Sequence, residues 1–138
     1  MKPRIVIDTN VVVSALKSRH GAANRLLHLI GTKKIVHSLS VPLVLEYEEV
    51  LKRLLPSMGE QNLNYLLDYL CTTSQDTKIY YLWRPILKDP KDDMVLELAV
   101  ASNSDFIITY NQKDFVEAKK FGIKISTPRE LLILIEEL

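Results

Sequence analysis

Cysteine is nearly absent from this chain: Cys71 is the single one among 138 residues. That excludes an intramolecular disulfide and a thiolate cluster for zinc, and its expected place is inside a helix core. The three histidines, His20, His28 and His37, form no ligand pair at a recognisable spacing and are expected to be surface or packing residues. No apolar stretch approaches the ~20 residues of a membrane span. The short apolar run near the N-terminus is interrupted by Asp8, so no secretory core fits there. Repeats, linkers and low-complexity segments are also missing. One compact domain over residues 1–138 is therefore expected, burying roughly two-thirds of the surface of its unfolded chain, in a soluble cytoplasmic protein with no membrane partner.

The composition is that of a globular protein, 47% hydrophobic and 25% charged. The net charge of +1 selects neither a nucleic-acid nor a membrane partner. Neutralising three acids at a site would leave 14 against 18 Lys and Arg, a surplus of four. A mildly basic rim of that kind would suit a polyanion, although a well-mixed solvated surface gives the same count.

Short β-branched runs alternate with longer helical segments, which argues for a parallel sheet covered by helices. Residues 4–8 read as the first strand, 22–30 as a helix, and Ile35-Val36 as a short second strand. Ser40 reads as an N-cap, with Pro42 in the first turn of a helix reaching about Leu55. A further helix is expected over 60–71, with Leu63, Leu66, Leu67 and Leu70 on one face. Residues 78–83 lean to strand, and an irregular loop follows from Arg84 to Lys91. Asp92 or Asp93 is then expected to cap a helix reaching about Ser102. Phe106-Ile107-Ile108-Thr109 is a clear buried strand and Lys124-Ile125-Ser126 a weak edge strand. Thr127-Pro128-Arg129-Glu130 is a capping box that opens the last helix.

The residues with chemical potential sit at the ends of these elements. Asp8 closes the first strand, at the carboxyl end where open α/β sheets place ligand-handling groups. Asn10 and Ser14 follow closely and are candidates to hydrogen-bond that carboxylate and fix its rotamer. The structural alternative is an aspartate that merely caps the next helix. Glu46 borders the apolar stripe Leu43, Tyr47, Val50, Leu51 and Leu54, and Glu48 lies at the other border; periodicity does not choose between them. Asp89, Asp92 and Asp93 crowd five residues ahead of a helix, more acids than capping explains. Thr109, Asn111 and Asp114 fall at the carboxyl end of another strand, suited to phosphate oxygens or metal-bound water. For Asp114, turn formation and capping of the next short helix is the favoured reading. Clustered carboxylates raise one another's pKa unless a cation joins them, and hard oxygen donors favour Mg²⁺ or Mn²⁺. The aromatic run Tyr80-Tyr81-Leu82-Trp83 is open to three readings: packed core, dimer face, or stacking surface for single-stranded RNA.

Taken together, these motifs resemble the PIN-domain family over residues 4–127. Ile5-Val6-Ile7-Asp8-Thr9-Asn10 with Ser14 resembles the family's opening strand, its first metal-binding aspartate and supporting Asn and Ser. Glu46-Tyr47-Glu48-Glu49-Val50-Leu51 resembles the second acid, which favours Glu46 over Glu48. Asp89-Pro90-Lys91-Asp92-Asp93 followed by Asp105-Phe106-Ile107-Ile108-Thr109 resembles the third, aligned on Asp93 with Asp92 a close rival. The family often has a fourth acid two residues after the threonine, where this chain has Asn111; Asp114 is a substitute at a different spacing. The resemblance implies a three-layer α/β/α sandwich around a mostly parallel sheet of four or five strands. It further implies a metal-dependent endoribonuclease, toxin-like, with RNA as substrate, a protein antitoxin and a homodimer as partners. Asp8, Glu46 and Asp93 would hold Mg²⁺ or Mn²⁺, with one or two ions in use. Two other classes stand beside it: a non-catalytic RNA-binding or scaffolding relative, and a receiver-like phospho-acceptor domain, which would want paired acids after the first strand. A haloacid-dehalogenase-like phosphatase would want an aspartate where Asn10 stands.

Overall fold

The computed structural model describes residues 2–80 and 90–138, and the side chains of 2–75 and 94–138 among them. Five parallel strands form one sheet in the order β3-β2-β1-β4-β5. They are β1 (Arg4–Ile7), β2 (Val36–Ser40), β3 (Ser74–Tyr80), β4 (Phe106–Ile108) and β5 (Lys124–Ser126). The helices are α1 (Thr9–Lys17), α2 (Ala22–Gly31), α3 (Val41–Leu54), α4 (Glu60–Thr73), α5 (Pro90–Ala101) and α6 (Pro128–Leu134). A 3₁₀ segment, Gln112–Phe121, lies between β4 and β5. The expected α/β/α sandwich is borne out, with a wholly parallel sheet of five strands flanked by helices.

Strand order follows from burial. Ile5, Val6 and Ile7 are all essentially inaccessible, as are Ile107 and Ile108, so β1 and β4 have both faces covered. Strands buried on both faces read as continuous apolar runs, which is why these two were visible in sequence. The chain leaves β1 toward β2 on one side and later returns to β4 on the other. The order of connection thus reverses between β1 and β4, a switch point at whose carboxyl ends open α/β sheets place ligand sites.

Two expected elements are corrected, and one helix was not foreseen. The strand expected at Ile35-Val36 instead runs from Val36 to Ser40, because its polar residues are buried with partners. His37 Nε2 lies 3.0 Å from Thr73 Oγ1, and Ser38 Oγ donates to Gln75 Oε1 at 3.4 Å. Between the first strand and the helix over 22–30, where no element was expected, α1 carries Val11-Val12-Val13 in helical form. The helix penalty of a valine is at most ~0.7 kcal/mol, whereas burying its side chain contributes ~1.5 kcal/mol or more. All three valines are buried, so packing wins. Third, α5 starts at Pro90, which places Asp92 and Asp93 inside its first turn instead of at its cap, and makes residues 90 and 91 helical instead of loop.

Other expectations hold. Ser40 Oγ accepts from the Leu43 N–H at 3.2 Å and caps α3, and Thr127 and Glu130 form the capping box of α6. His20 and His28 are exposed and His37 is packed inside, whereas Cys71, expected inside a helix core, lies in α4 only half-buried at the core's edge. The strand lean at 78–83 is met by β3 through Tyr80; residues 81–89, with the rest of the aromatic run and most of the expected loop, lie outside the described residues. Among the described residues no helix is long and apolar enough to cross a membrane.

Candidate active site

Asp8 sits where β1 ends and α1 begins. Its backbone N–H still belongs to the sheet, donating to the Ile108 carbonyl at 2.9 Å. Its side chain belongs to the switch point. Oδ1 accepts from the Thr9 N–H at 2.9 Å, which caps α1, and Oδ2 accepts from Thr109 Oγ1 at 2.7 Å. Capping and site are therefore not alternatives here: one oxygen starts the helix while the other is aimed across the switch point.

Burial holds the Asp8 carboxyl above its ordinary pKa, outweighing the hydrogen bonds from Thr109 and Thr9 that pull it down. The negative charge of Asp114 pushes in the same upward direction. No described cation pairs with Asp8. A half-buried carboxylate with a second carboxylate acting on it and no cation is an unfavourable arrangement that a divalent ion relieves. Carboxylate oxygens are hard donors of the kind that Mg²⁺ or Mn²⁺ takes. Among the described residues no three of His, Cys, Asp and Glu form a cluster able to hold a metal. The side chains of Asp92 and Asp93 lie outside that description.

Thr109 is the hinge of the arrangement. It is fully buried, its backbone N–H donates to the Ser126 carbonyl at 2.9 Å, and its hydroxyl accepts from the Asn111 N–H at 2.9 Å. With its proton given to Asp8, that hydroxyl has one orientation only. The expectation that Asn10 and Ser14 fix the Asp8 rotamer is corrected: both bond Tyr110 instead. Asn10 Oδ1 accepts from the Tyr110 N–H at 3.5 Å, and Ser14 Oγ lies 3.4 Å from the Tyr110 hydroxyl. The turn expected at Asp114 is present, its N–H donating to the Asn111 carbonyl at 3.1 Å. Asp114 itself lies within the 3₁₀ segment, which is preceded by Asn111 at the cap position with no side-chain cap bond.

Glu46 is half-buried on α3, one residue before Tyr47. The Tyr47 hydroxyl is buried and donates to the Ile7 carbonyl, so α3 is anchored to β1 immediately ahead of Asp8. Burial raises the Tyr47 phenol well above its usual pKa, and the charge of Asp8 adds to that. Helix α5, with Asp92 and Asp93 in its first turn, packs against both β1 and α3. Sequence patterning reads Tyr47 only as an apolar stripe residue, since periodicity carries no information about where a hydroxyl ends. Tyr47→Phe removes the donor to Ile7 and is expected to cost about 1–2 kcal/mol, read as a lower midpoint in urea unfolding with an unchanged slope.

A wholly parallel sheet with an acid and a buried threonine across its switch point defines an α/β protein with a carboxylate site. The sequence profile of the PIN domain matches residues 4–113, most of the chain, and this protein belongs to that family. PIN domains are generally nucleases that act on RNA with divalent metals such as Mg²⁺ or Mn²⁺. An uncharacterized protein of Methanocaldococcus jannaschii is 27% identical over 146 aligned positions, spanning 96% of this chain and 91% of the relative. No solved structure matches.

Proposed function

We propose that this protein, as a single domain over residues 1–138, is a metal-dependent endoribonuclease that hydrolyses RNA phosphodiester bonds. Its proposed setting is the toxin component of a toxin–antitoxin pair in the cytoplasm, with a protein antitoxin and a second copy of itself as partners. The observation that carries the catalytic part is Asp8: a half-buried carboxylate at the sheet's switch point, oriented by Thr109, with Asp114 acting on it and no cation among the described residues paired with it.

Asp8, Glu46 and Asp93 would hold Mg²⁺ or Mn²⁺, with Asp92 the rival of Asp93 and Asp114 the nearest further acid. When bound, such an ion neutralises phosphate charge and makes a neighbouring water acidic enough to act as a nucleophile near neutral pH. The chain's own groups prepare the place. Thr109 holds one Asp8 oxygen in a single orientation, and the Thr9 N–H holds the other. The N-terminus of α1 presents its positive dipole end beside them, favouring both the carboxylate and an incoming phosphate. Asn111 supplies an uncharged amide where many relatives have an acid, which leaves Asp114 to complete the charge.

The direct test is incubation of a mixed RNA pool with Mg²⁺, Mn²⁺ or EDTA. Cleavage in either metal that stops in EDTA supports the proposal; RNA bound but uncut in every metal favours a non-catalytic RNA-binding relative. Thr109→Val is expected to lower metal affinity about 10- to 100-fold by releasing the Asp8 rotamer, seen as a shift of the metal-activation midpoint. A midpoint equal to wild type would show that Thr109 does not position Asp8.

A further inference from the structure

The rim of the site carries an aromatic side chain that the chemistry above does not use. Tyr110 directly follows Thr109 and leaves 45% of its surface exposed. The side chains it contacts are polar, Asn10 and Ser14, and Asn111 follows it in the chain. The ring is nonetheless held. The backbone N–H donates to Asn10 Oδ1 and the hydroxyl shares a hydrogen bond with Ser14 Oγ, one helical turn further along α1. Both ends of Tyr110 are thus tied to one face of the helix whose first N–H groups border Asp8. The strand that precedes it is already fully buried, so the exposed ring adds little to the core.

An exposed aromatic ring of fixed position, one residue from a phosphate-handling site, has the chemistry to stack a nucleobase. We propose that Tyr110 is a positioning residue: its ring stacks an unpaired base adjacent to the phosphate at Asp8. This rests on the nuclease reading above. Bases within a duplex already stack on one another and cannot offer a free face. A single strand can place one base on the ring while its backbone runs past the N-terminus of α1.

The alternative role for Tyr110 is structural, through its hydroxyl to Ser14, and the two roles separate experimentally. Tyr110→Phe keeps the ring and loses the hydroxyl; Tyr110→Ala loses both. Binding of a fluorescently labelled single-stranded RNA of about ten nucleotides is measured by anisotropy, with each change placed in an Asp8→Asn background to prevent cleavage. Loss of one stacked base is expected to weaken binding about tenfold in Tyr110→Ala, while Tyr110→Phe retains most of the affinity. A 2-aminopurine in the oligonucleotide is quenched on binding when Tyr or Phe is present and not when Ala is. In the active enzyme the Tyr110→Ala loss falls on KM, as expected for binding shared by ground and transition states. Equal weakening by Phe and Ala, or Ala binding as tightly as Tyr, overturns the proposal while leaving the nuclease reading intact. Failure of the Tyr110-containing proteins to bind or cut RNA overturns both.

Discussion

Asp8→Asn is expected to abolish RNA cleavage while leaving the fold at least as stable as before. Asn cannot supply the negative charge that anchors a divalent ion. The transition-state stabilisation lost with that ion is several kcal/mol, or a thousandfold or more in rate. Stability moves the other way because of where the carboxylate sits. Burial raises the Asp8 pKa in the folded state, so ionisation of Asp8 works against folding. The sign follows from linkage: a raised folded pKa contributes stability below the unfolded value of 3.8 and loses it as pH rises through the folded value. At neutral pH the charged carboxylate is therefore a cost, which Asn removes while still accepting a hydrogen bond.

The two effects can be read in one pair of experiments. Without metal, thermal unfolding of Asp8→Asn is expected at or above the wild-type midpoint. With Mg²⁺ or Mn²⁺ at a hundred times its dissociation constant, wild type gains about 2.7 kcal/mol by mass action and the variant gains much less. An Asp8→Asn protein that cleaves RNA at the wild-type rate would remove Asp8 from the mechanism.

The second large effect is independent of the site. His37 is buried on β2 with Nε2 against Thr73 Oγ1, and burial lowers its pKa from 6.5 to about 4, with the Leu70 backbone pulling weakly upward. The folded state therefore binds fewer protons than the unfolded chain between those two values. Its stabilising contribution is complete above pH 6.5 and is lost as pH falls toward 4. A shift of that size corresponds to about 3 kcal/mol, a large share of a small domain's total. Urea unfolding at pH 7 and pH 4.5 is expected to show wild type losing roughly 2–3 kcal/mol more than His37→Gln across that interval. Equal losses in the two proteins would mean that His37 titrates normally in the fold.

The elements legible in sequence were those whose local pattern and tertiary environment agree. Strands β1 and β4 are continuous apolar runs because both their faces are covered. The caps at Ser40 and Thr127 are local hydrogen-bond chemistry, complete within four residues. Asp8 was legible for the same reason, as a charge that ends a buried strand.

Other elements depended on neighbours distant in the chain. The valine run of α1 is helical because its side chains are buried by packing, and the polar strand β2 became possible because α4 and β3 supply partners for His37 and Ser38. The site divides along the same line. Residue types and spacing made Asp8, Glu46 or Glu48, the pair Asp92-Asp93, and Thr109 candidates, because carboxylates and a hydroxyl at element ends are local features; the family resemblance favoured Glu46 and Asp93 within their pairs. Only the tertiary structure decided that Thr109, 101 positions away, orients Asp8, that Asn10 and Ser14 hold Tyr110, and that the charge of Asp114 reaches Asp8. Hydrogen bonds across a sheet join residues by strand order, and strand order is set by how the whole chain buries its apolar surface.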